Sequence, residues 1–158
     1  MSGGGENIAP VPIEDDIKSE LVDIVSQGML VGDKRKHLAI ILTLKTVLDS
    51  KNQPTDILHP DVKEWLESMG SQAQTAEELI AEDSDEVREY IMDAIKRSNS
   101  RCVSNASKVH KFMIAPTDFS LTGGELTPTL KMKRHVVLEK YAAEIESMYQ
   151  YETQSSMW

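Results

Sequence analysis

The run Leu38-Ala39-Ile40-Ile41-Leu42 constrains this chain more than any other stretch. A short, continuous apolar run rich in Leu and Ile, bounded by turn residues, suits a strand covered on both faces better than a helix. A second apolar run, Ile24 to Val31, precedes it, and the short basic stretch Gly32-Asp33-Lys34-Arg35-Lys36 with His37 separates the two. So short a basic linker predicts an antiparallel hairpin with Leu38 to Leu44 as the central strand. Val109 to Ile114, apolar and β-branched, supplies a third strand.

Helical signals surround these runs. Pro12 sits in the first turn of a helix, Ile13, Ile17 and Leu21 fall on one stripe, and Glu14, Asp15 and Asp16 are expected near its positive end. Pro60 opens a second helix with Val62, Trp65, Leu66 and Met69 at helical spacing, and Gly70 stops it. Thr75 and Glu78 have the reciprocal spacing of a capping box. A longer helix is predicted from Asp85 to Ser98 with Val87, Tyr90, Ile91, Ala94 and Ile95 on one face, and Asn99 to Ser107 is a polar loop. After Arg134 a terminal helix carries Val137, Tyr141, Ile145 and Met148 toward the sheet, and the tail from Tyr151 to Trp158 is expected to fray. Together these elements predict an α+β domain: a small three-stranded sheet, mixed or antiparallel, flanked by helices, with residues 59–100 as a helical insertion.

At 158 residues the chain is the size of one ordinary domain. Its net charge of −9 argues against nucleic acid or an acidic membrane surface as the main partner, because both would repel it. No stretch approaches the roughly 20 apolar residues of a membrane helix. A lone cysteine, Cys102, cannot close an internal disulfide, which fits a reducing, cytoplasmic setting. The four histidines, His37, His59, His110 and His135, are scattered in sequence without metal-ligand spacing, so no metal site is predicted. The paired carboxylates Asp15-Asp16, Glu77-Glu78 and Asp83 with Asp85 cluster at helix starts, where the helix dipole accounts for them without acid-base chemistry. Neither a phosphate-binding P-loop nor a dinucleotide glycine fingerprint occurs.

What remains is Gly123-Gly124-Glu125-Leu126-Thr127-Pro128-Thr129-Leu130-Lys131-Met132-Lys133-Arg134, a glycine turn followed by cations alternating with apolar residues. If the run is extended, Leu130 and Met132 face one way and anchor the backbone while Lys131 and Lys133 face the other. Taken alone, Lys131 reads as a solvated surface cation and Lys34-Arg35-Lys36 as a solvated turn. Ser2-Gly3-Gly4-Gly5-Glu6-Asn7 reads as a flexible turn, either a tail or the beginning of a domain cut from a longer chain.

The two ends carry a resemblance. Gly4-Gly5-Glu6-Asn7-Ile8-Ala9-Pro10-Val11-Pro12-Ile13-Glu14 resembles the segment that begins the C-terminal domain of adenylate-forming enzymes. Pro128-Thr129-Leu130-Lys131-Met132-Lys133-Arg134 resembles the final motif of that superfamily in its long-chain acyl-CoA synthetase form. Met29 to Lys36 and Asp118-Phe119-Ser120 agree as well, so the likeness covers nearly the whole chain and is strongest to the bubblegum branch.

That resemblance implies a two-step reaction, in which a fatty acid carboxylate and ATP give acyl-adenylate and pyrophosphate, and coenzyme A then displaces AMP. It implies that Lys131 enters the active site for the first step, with Lys133 the rival by one register; many relatives have a glycine where this chain has Leu130. The loop Gly4-Gly5-Glu6-Asn7 is implied to come against the pantetheine arm, with Gly4 and Gly5 approaching it and Glu6 and Asn7 holding the loop's shape, and Lys34, Arg35, Lys36 and Arg101 are implied to contact coenzyme A phosphates. ATP, Mg2+ and coenzyme A would be substrates of the full enzyme, with no tightly bound cofactor. Motifs of the large adenylation domain are absent, so the chain is expected to be the mobile C-terminal domain alone, inactive by itself, from a cytoplasmic enzyme peripheral on the endoplasmic reticulum membrane. Two other readings stay open: a domain that loads a carrier protein, and a non-catalytic interaction module built on the acidic helices from Pro60 to Ser98.

Overall fold

A computed structural model of the chain describes residues 2–3, 6–32 and 35–155, with side chains over residues 8–32 and 35–150. The chain divides into two compact units, Met1–Asp118 and Phe119–Trp158.

In the first unit, the sheet has strand order β3-β4-β7, with β3 at Val25–Val31, β4 at Leu38–Leu44 and β7 at Val109–Ile114. Every residue of β4 is buried, as a run apolar on both faces requires. β3 pairs with β4 antiparallel through Met29 and Ile41, while β7 pairs parallel to β4 through Ile40 and Phe112. The sheet is therefore mixed. A parallel neighbour cannot be reached by a tight turn, and the long connection between β4 and β7 provides the crossover.

That crossover begins with a hairpin the sequence reading missed, β5 (Thr46–Leu48) and β6 (Pro54–Leu58). Its strands are short, one opens on proline, and Val47, Leu48 and Ile57 remain exposed, so no alternation marked it. Helices α2 (Pro60–Ser68), α3 (Ala76–Glu82) and α4 (Asp85–Asn99) follow. Their caps obey local chemistry. His59 Nδ1 accepts from the Asp61 amide, Thr75 Oγ1 from Glu78 and Ser84 Oγ from Val87. Glu78 reaches back past the N-cap residue to the Gln74 amide at 2.8 Å, one residue beyond the position a capping box uses. Glu77 and Glu78 stand in the first turn of α3 and Asp85 in that of α4, as the dipole reading expects, whereas Asp83 is the left-handed C-cap of α3, at the end where the dipole disfavours an acid.

The dipole explanation fails for α1 (Pro10–Glu20). The helix starts at Pro10, two residues before Pro12, so its first turn holds no acid. Glu14 is instead buried and accepts from the Leu30 amide of β3 at 2.7 Å. Asp16 accepts from the Ser98 hydroxyl of α4 at 2.5 Å and pairs with Arg101. Glu20 receives Arg97 at 2.7 Å and Arg101 at 2.7 Å. These carboxylates fasten α1 to β3 and α4 around a core that includes Ile17, Leu21, Ile40, Leu42, Leu66, Ile91 and Ile95. Tyr90, expected inward, stays 41% exposed and meets the Trp65 ring edge-on at 5.2 Å.

The N-terminal segment forms a two-stranded antiparallel pair, β1 (Ser2–Gly3) with β2 (Glu6–Asn7). In the second unit the expected single terminal helix is two, α5 (Arg134–Lys140) and α6 (Ala142–Ser155), broken at Tyr141. The break rephases the inward stripe. Val137, Tyr141, Ile145 and Tyr149 are buried, and Met148 is displaced from the buried row by Tyr149.

Candidate functional site

The run that carries Lys131 lies wholly in the second unit, and it is a turn rather than a strand. Leu130 donates its amide to the Thr127 carbonyl at 2.8 Å, closing the turn, and the chain then runs back antiparallel with Met132 bridging Leu126. Leu130 has φ of 65°, in the left-handed region that favours glycine, and it is 66% exposed. The strict alternation expected for residues 130–133 is thus broken at its first member, and Leu130 does not anchor the backbone. A residue with positive φ cannot continue the pleat of a strand.

Lys131 is exposed and Lys133 half-buried. Neither ammonium group has a hydrogen-bonding or ion-pairing partner among the described residues. The backbone beneath Lys131, by contrast, is tied twice to Thr127: its amide donates to the threonine hydroxyl at 3.0 Å, and its carbonyl accepts from the threonine amide at 2.8 Å. The result is a free cation on a fixed base.

Behind the turn lies a residue that the sequence reading passed over. Glu125 has no exposed surface. One carboxylate oxygen accepts from the Ser120 amide at 3.0 Å and the other is ion-paired with Lys140 on α5. The Glu125 carbonyl accepts from the Lys133 amide at 2.7 Å. Gly123 has no Cβ because one would stand 2.5 Å from the Glu125 carboxylate and 2.9 Å from the Ser120 hydroxyl. The Glu125 hydrogen bond, first among its causes, holds the Lys140 ammonium above the usual lysine range. No periodicity marks Glu125, and Lys140 is fifteen positions away. Its only sequence signal is an acid directly after a glycine pair.

The remaining predicted residues fall elsewhere. Arg35 and Lys36 line a cavity of about 80 Å³ together with His37, Asn105, Lys108 and His110. The parallel register opposes Leu38 to Val109, so the flanking His37 and His110 meet with ring centroids 4.4 Å apart, although they are far separated in sequence. Arg101 does not line this cavity: its guanidinium is held by Asp16 and Glu20, and these bonds, Asp16 first, raise its pKa further. Next to it, burial pushes the Cys102 thiol up, which disfavours the thiolate a nucleophile needs. Gly4, Gly5 and Lys34 lie outside the described residues, and of Glu6 and Asn7 only the backbone is described. Among the described residues no group of three His, Cys, Asp or Glu side chains could hold a metal ion, and no helix is long and apolar enough to cross a membrane.

Comparison with known proteins places this geometry in context. The family model for the AMP-binding enzyme C-terminal domain matches residues 1–85 and 74–153. The chain is 43% identical over 155 residues to a mouse (Mus musculus) protein named long-chain-fatty-acid–CoA ligase ACSBG1, covering 98% of this chain and 21% of that protein. It is also 43% identical over 150 residues to the chicken (Gallus gallus) long-chain-fatty-acid–CoA ligase ACSBG2, covering 94% of this chain and 20% of that one. The chain thus spans about a fifth of the length of these relatives. Among solved structures, the A-PCP didomain of a carboxylic acid reductase from Segniliparus rugosus in complex with AMP matches at TM-score 0.65 and 18% identity, over 96% of this chain and 17% of that chain. The adenylation domain of a carboxylate reductase from Mycobacterium chelonae matches at TM-score 0.64 and 16% identity, over 94% and 19%. These structures share the fold.

Proposed function

Because this chain belongs to the family of AMP-binding enzyme C-terminal domains, we propose that it serves as the lysine-bearing domain of an ATP-dependent long-chain fatty acid–CoA ligase. In the reaction proposed, a carboxylate oxygen of the fatty acid attacks the α-phosphorus of ATP and pyrophosphate leaves. The thiol of coenzyme A then attacks the acyl carbon, the bond to AMP breaks, and the thiol proton is released. ATP with Mg2+, the fatty acid and coenzyme A are substrates, and the large adenylation domain is the partner that completes the site.

The observation that carries this reading is the unpaired, exposed ammonium of Lys131 on a turn whose backbone is hydrogen-bonded at both its amide and its carbonyl. Negative charge develops on carboxylate and α-phosphate oxygens during adenylation, and a point cation on a flexible stem can follow it inside a water-poor cleft. Lys131 holds this role, and Lys133, half-buried and two positions further along, is the rival. An interaction module would instead have Lys131 packed or paired away from solvent. Relatives that are CoA ligases at 43% identity weigh toward coenzyme A over a carrier protein as the thiol acceptor.

For the second step, the loop Gly4-Gly5-Glu6-Asn7 lies against the pantetheine arm: Gly4 and Gly5, a backbone without side chains, approach the thin ligand, and Glu6 and Asn7 hold the loop's shape. Lys34, Arg35 and Lys36 contact coenzyme A phosphates; Arg101 joins them only by exchanging Asp16 and Glu20 for phosphate. The parent enzyme is cytoplasmic and peripheral on the endoplasmic reticulum membrane, and the 158-residue chain is inactive alone.

The deciding experiment compares Lys131→Ala with Lys133→Ala in the full-length enzyme, with adenylation and thioester formation from preformed acyl-adenylate assayed separately. Lys131→Ala is expected to slow adenylation by about 10²- to 10³-fold while sparing most of the second step. Adenylation that survives Lys131→Ala, or robust acyl-CoA formation by the 158-residue chain alone, overturns the reading.

A further inference from the structure

We propose that Glu125 is a positioning residue for Lys131, acting through its ion pair with Lys140; this rests on the lysine-bearing role argued above. Three ties converge on this one residue. Its carboxylate takes the Ser120 amide at 3.0 Å and the Lys140 ammonium, and its carbonyl takes the Lys133 amide at 2.7 Å. The first tie fixes the glycine turn, the second fixes α5, and the third fixes the segment that returns from Lys131. The next residue, Leu126, is bridged to Met132, and Thr127 holds the Lys131 backbone from both sides. Glu125 is thus the point at which the lysine turn is joined to the rest of its unit.

An ion pair with one buried partner is a poor source of stability, because taking the Glu125 carboxylate out of water offsets most of its attraction to the half-exposed Lys140. What it supplies is a single geometry. Any shift that separates Glu125 from Lys140 or Ser120 leaves a solvent-excluded carboxylate without a partner, so displaced arrangements of the turn are penalised far more steeply than apolar packing would penalise them. The glycine before it serves the same contact: a methyl group at Gly123 would occupy the carboxylate's place. Lys131 itself spends nothing on this restraint, and its ammonium stays available.

The test has a structural arm and a chemical arm. In the 158-residue chain carrying Glu125→Gln, amide hydrogen exchange at Lys131 and Lys133 should accelerate by about tenfold, as expected for the loss of a buried, charge-assisted hydrogen bond, with the amides of β3, β4 and β7 unchanged. In the full-length enzyme the same substitution should lower adenylation by about 10- to 100-fold, the cost of an ångström-scale misplacement, and leave thioester formation from preformed acyl-adenylate within about twofold. Lys140→Gln removes the same pair from its 41%-exposed partner and should give the same selective loss, which keeps the test available if Glu125→Gln fails to fold.

Unchanged exchange at Lys131 and Lys133 overturns the inference, and so does an equal fall in both half-reactions, which would mark Glu125 as merely structural. If Lys131→Ala abolishes adenylation while Glu125→Gln and Lys140→Gln leave it intact, this inference fails and the lysine's role stands. If Lys131→Ala leaves adenylation intact, the lysine's role fails and takes this inference with it.

Discussion

Thr127 and Lys131 are bonded reciprocally: the Lys131 amide donates to the Thr127 hydroxyl at 3.0 Å, and the Thr127 amide donates to the Lys131 carbonyl at 2.8 Å. The backbone pair closes the turn and the hydroxyl occupies the amide that would otherwise face water. Thr127→Val keeps the shape and the backbone bond but removes the acceptor. The proposed role of Lys131 then predicts a fall in adenylation of about fivefold in the full-length enzyme, from the roughly 1 kcal/mol that one such hydrogen bond contributes. The thermal unfolding midpoint of the 158-residue chain should fall by only about 2–4 °C, the shift that about 1 kcal/mol produces in a chain of this size. An unaltered adenylation rate would show that the hydroxyl does not orient the lysine.

Leu130 pays a conformational cost with no packing return, being left-handed at φ of 65° and 66% exposed. Leu130→Gly should relieve about 1 kcal/mol of backbone strain, partly offset by the greater freedom of glycine in the unfolded chain. Urea titration of the 158-residue chain should therefore show equal or slightly higher stability, against the destabilisation expected for glycine at an ordinary position. A loss beyond about 1 kcal/mol would contradict the left-handed turn.

Glu14 makes the opposite case, a buried acid whose removal should be costly. Glu14→Ala leaves the Leu30 amide without its 2.7 Å acceptor beside the central sheet. Unfolding free energy should drop by about 1–3 kcal/mol, the desolvation penalty of an unmet buried donor. Glu14→Gln, which retains an acceptor oxygen, should recover part of the loss. Chemical denaturation of the three proteins checks both statements.

Asp16 makes acid stability depend on Ser98. The Ser98 hydroxyl, at 2.5 Å, is the largest cause that holds the Asp16 carboxyl below the usual range, with Arg101 adding to it. A folded-state pKa below the unfolded one means that Asp16 contributes stability above about pH 4, its ordinary unfolded value, and that this contribution is lost as pH falls through the folded value. Ser98→Ala should raise the folded pKa and so move acid unfolding of the chain to higher pH. Circular dichroism followed from pH 7 downward reads the midpoint. An unmoved midpoint would mean that Arg101 alone sets the charge of Asp16.

How much of this was legible in the sequence depended on whether a signal was local. The antiparallel hairpin of β3 and β4, the buried centre of β4, and helices α2 to α4 with Thr75 as the cap of α3 were readable, because apolar runs, spacing and capping residues act within a few positions, whereas the caps His59 and Ser84 went unread. The pair β5 and β6 was not, since three- and five-residue strands with exposed faces leave no alternation to count. At the site, Lys131 could be named from the motif at residues 128–134, yet the conformation of that motif was misread. Nothing in the order of side chains reports that Leu130 turns left-handed.

The sequence by itself determined most of the element types and the three strands of the central sheet, and its motifs pointed to the family of the domain, because periodicity and motif spacing are properties of the chain alone; that the sheet is mixed was decided by the fold. Tertiary structure decided which polar groups meet. Glu14 with Leu30, Asp16 with Ser98, and Glu125 with Lys140 are 16, 82 and 15 positions apart, and each joins elements that are brought together only by folding. A buried carboxylate must find its partner wherever packing places one. For that reason the residue that holds the lysine turn in place was invisible until the fold put Lys140 beside it.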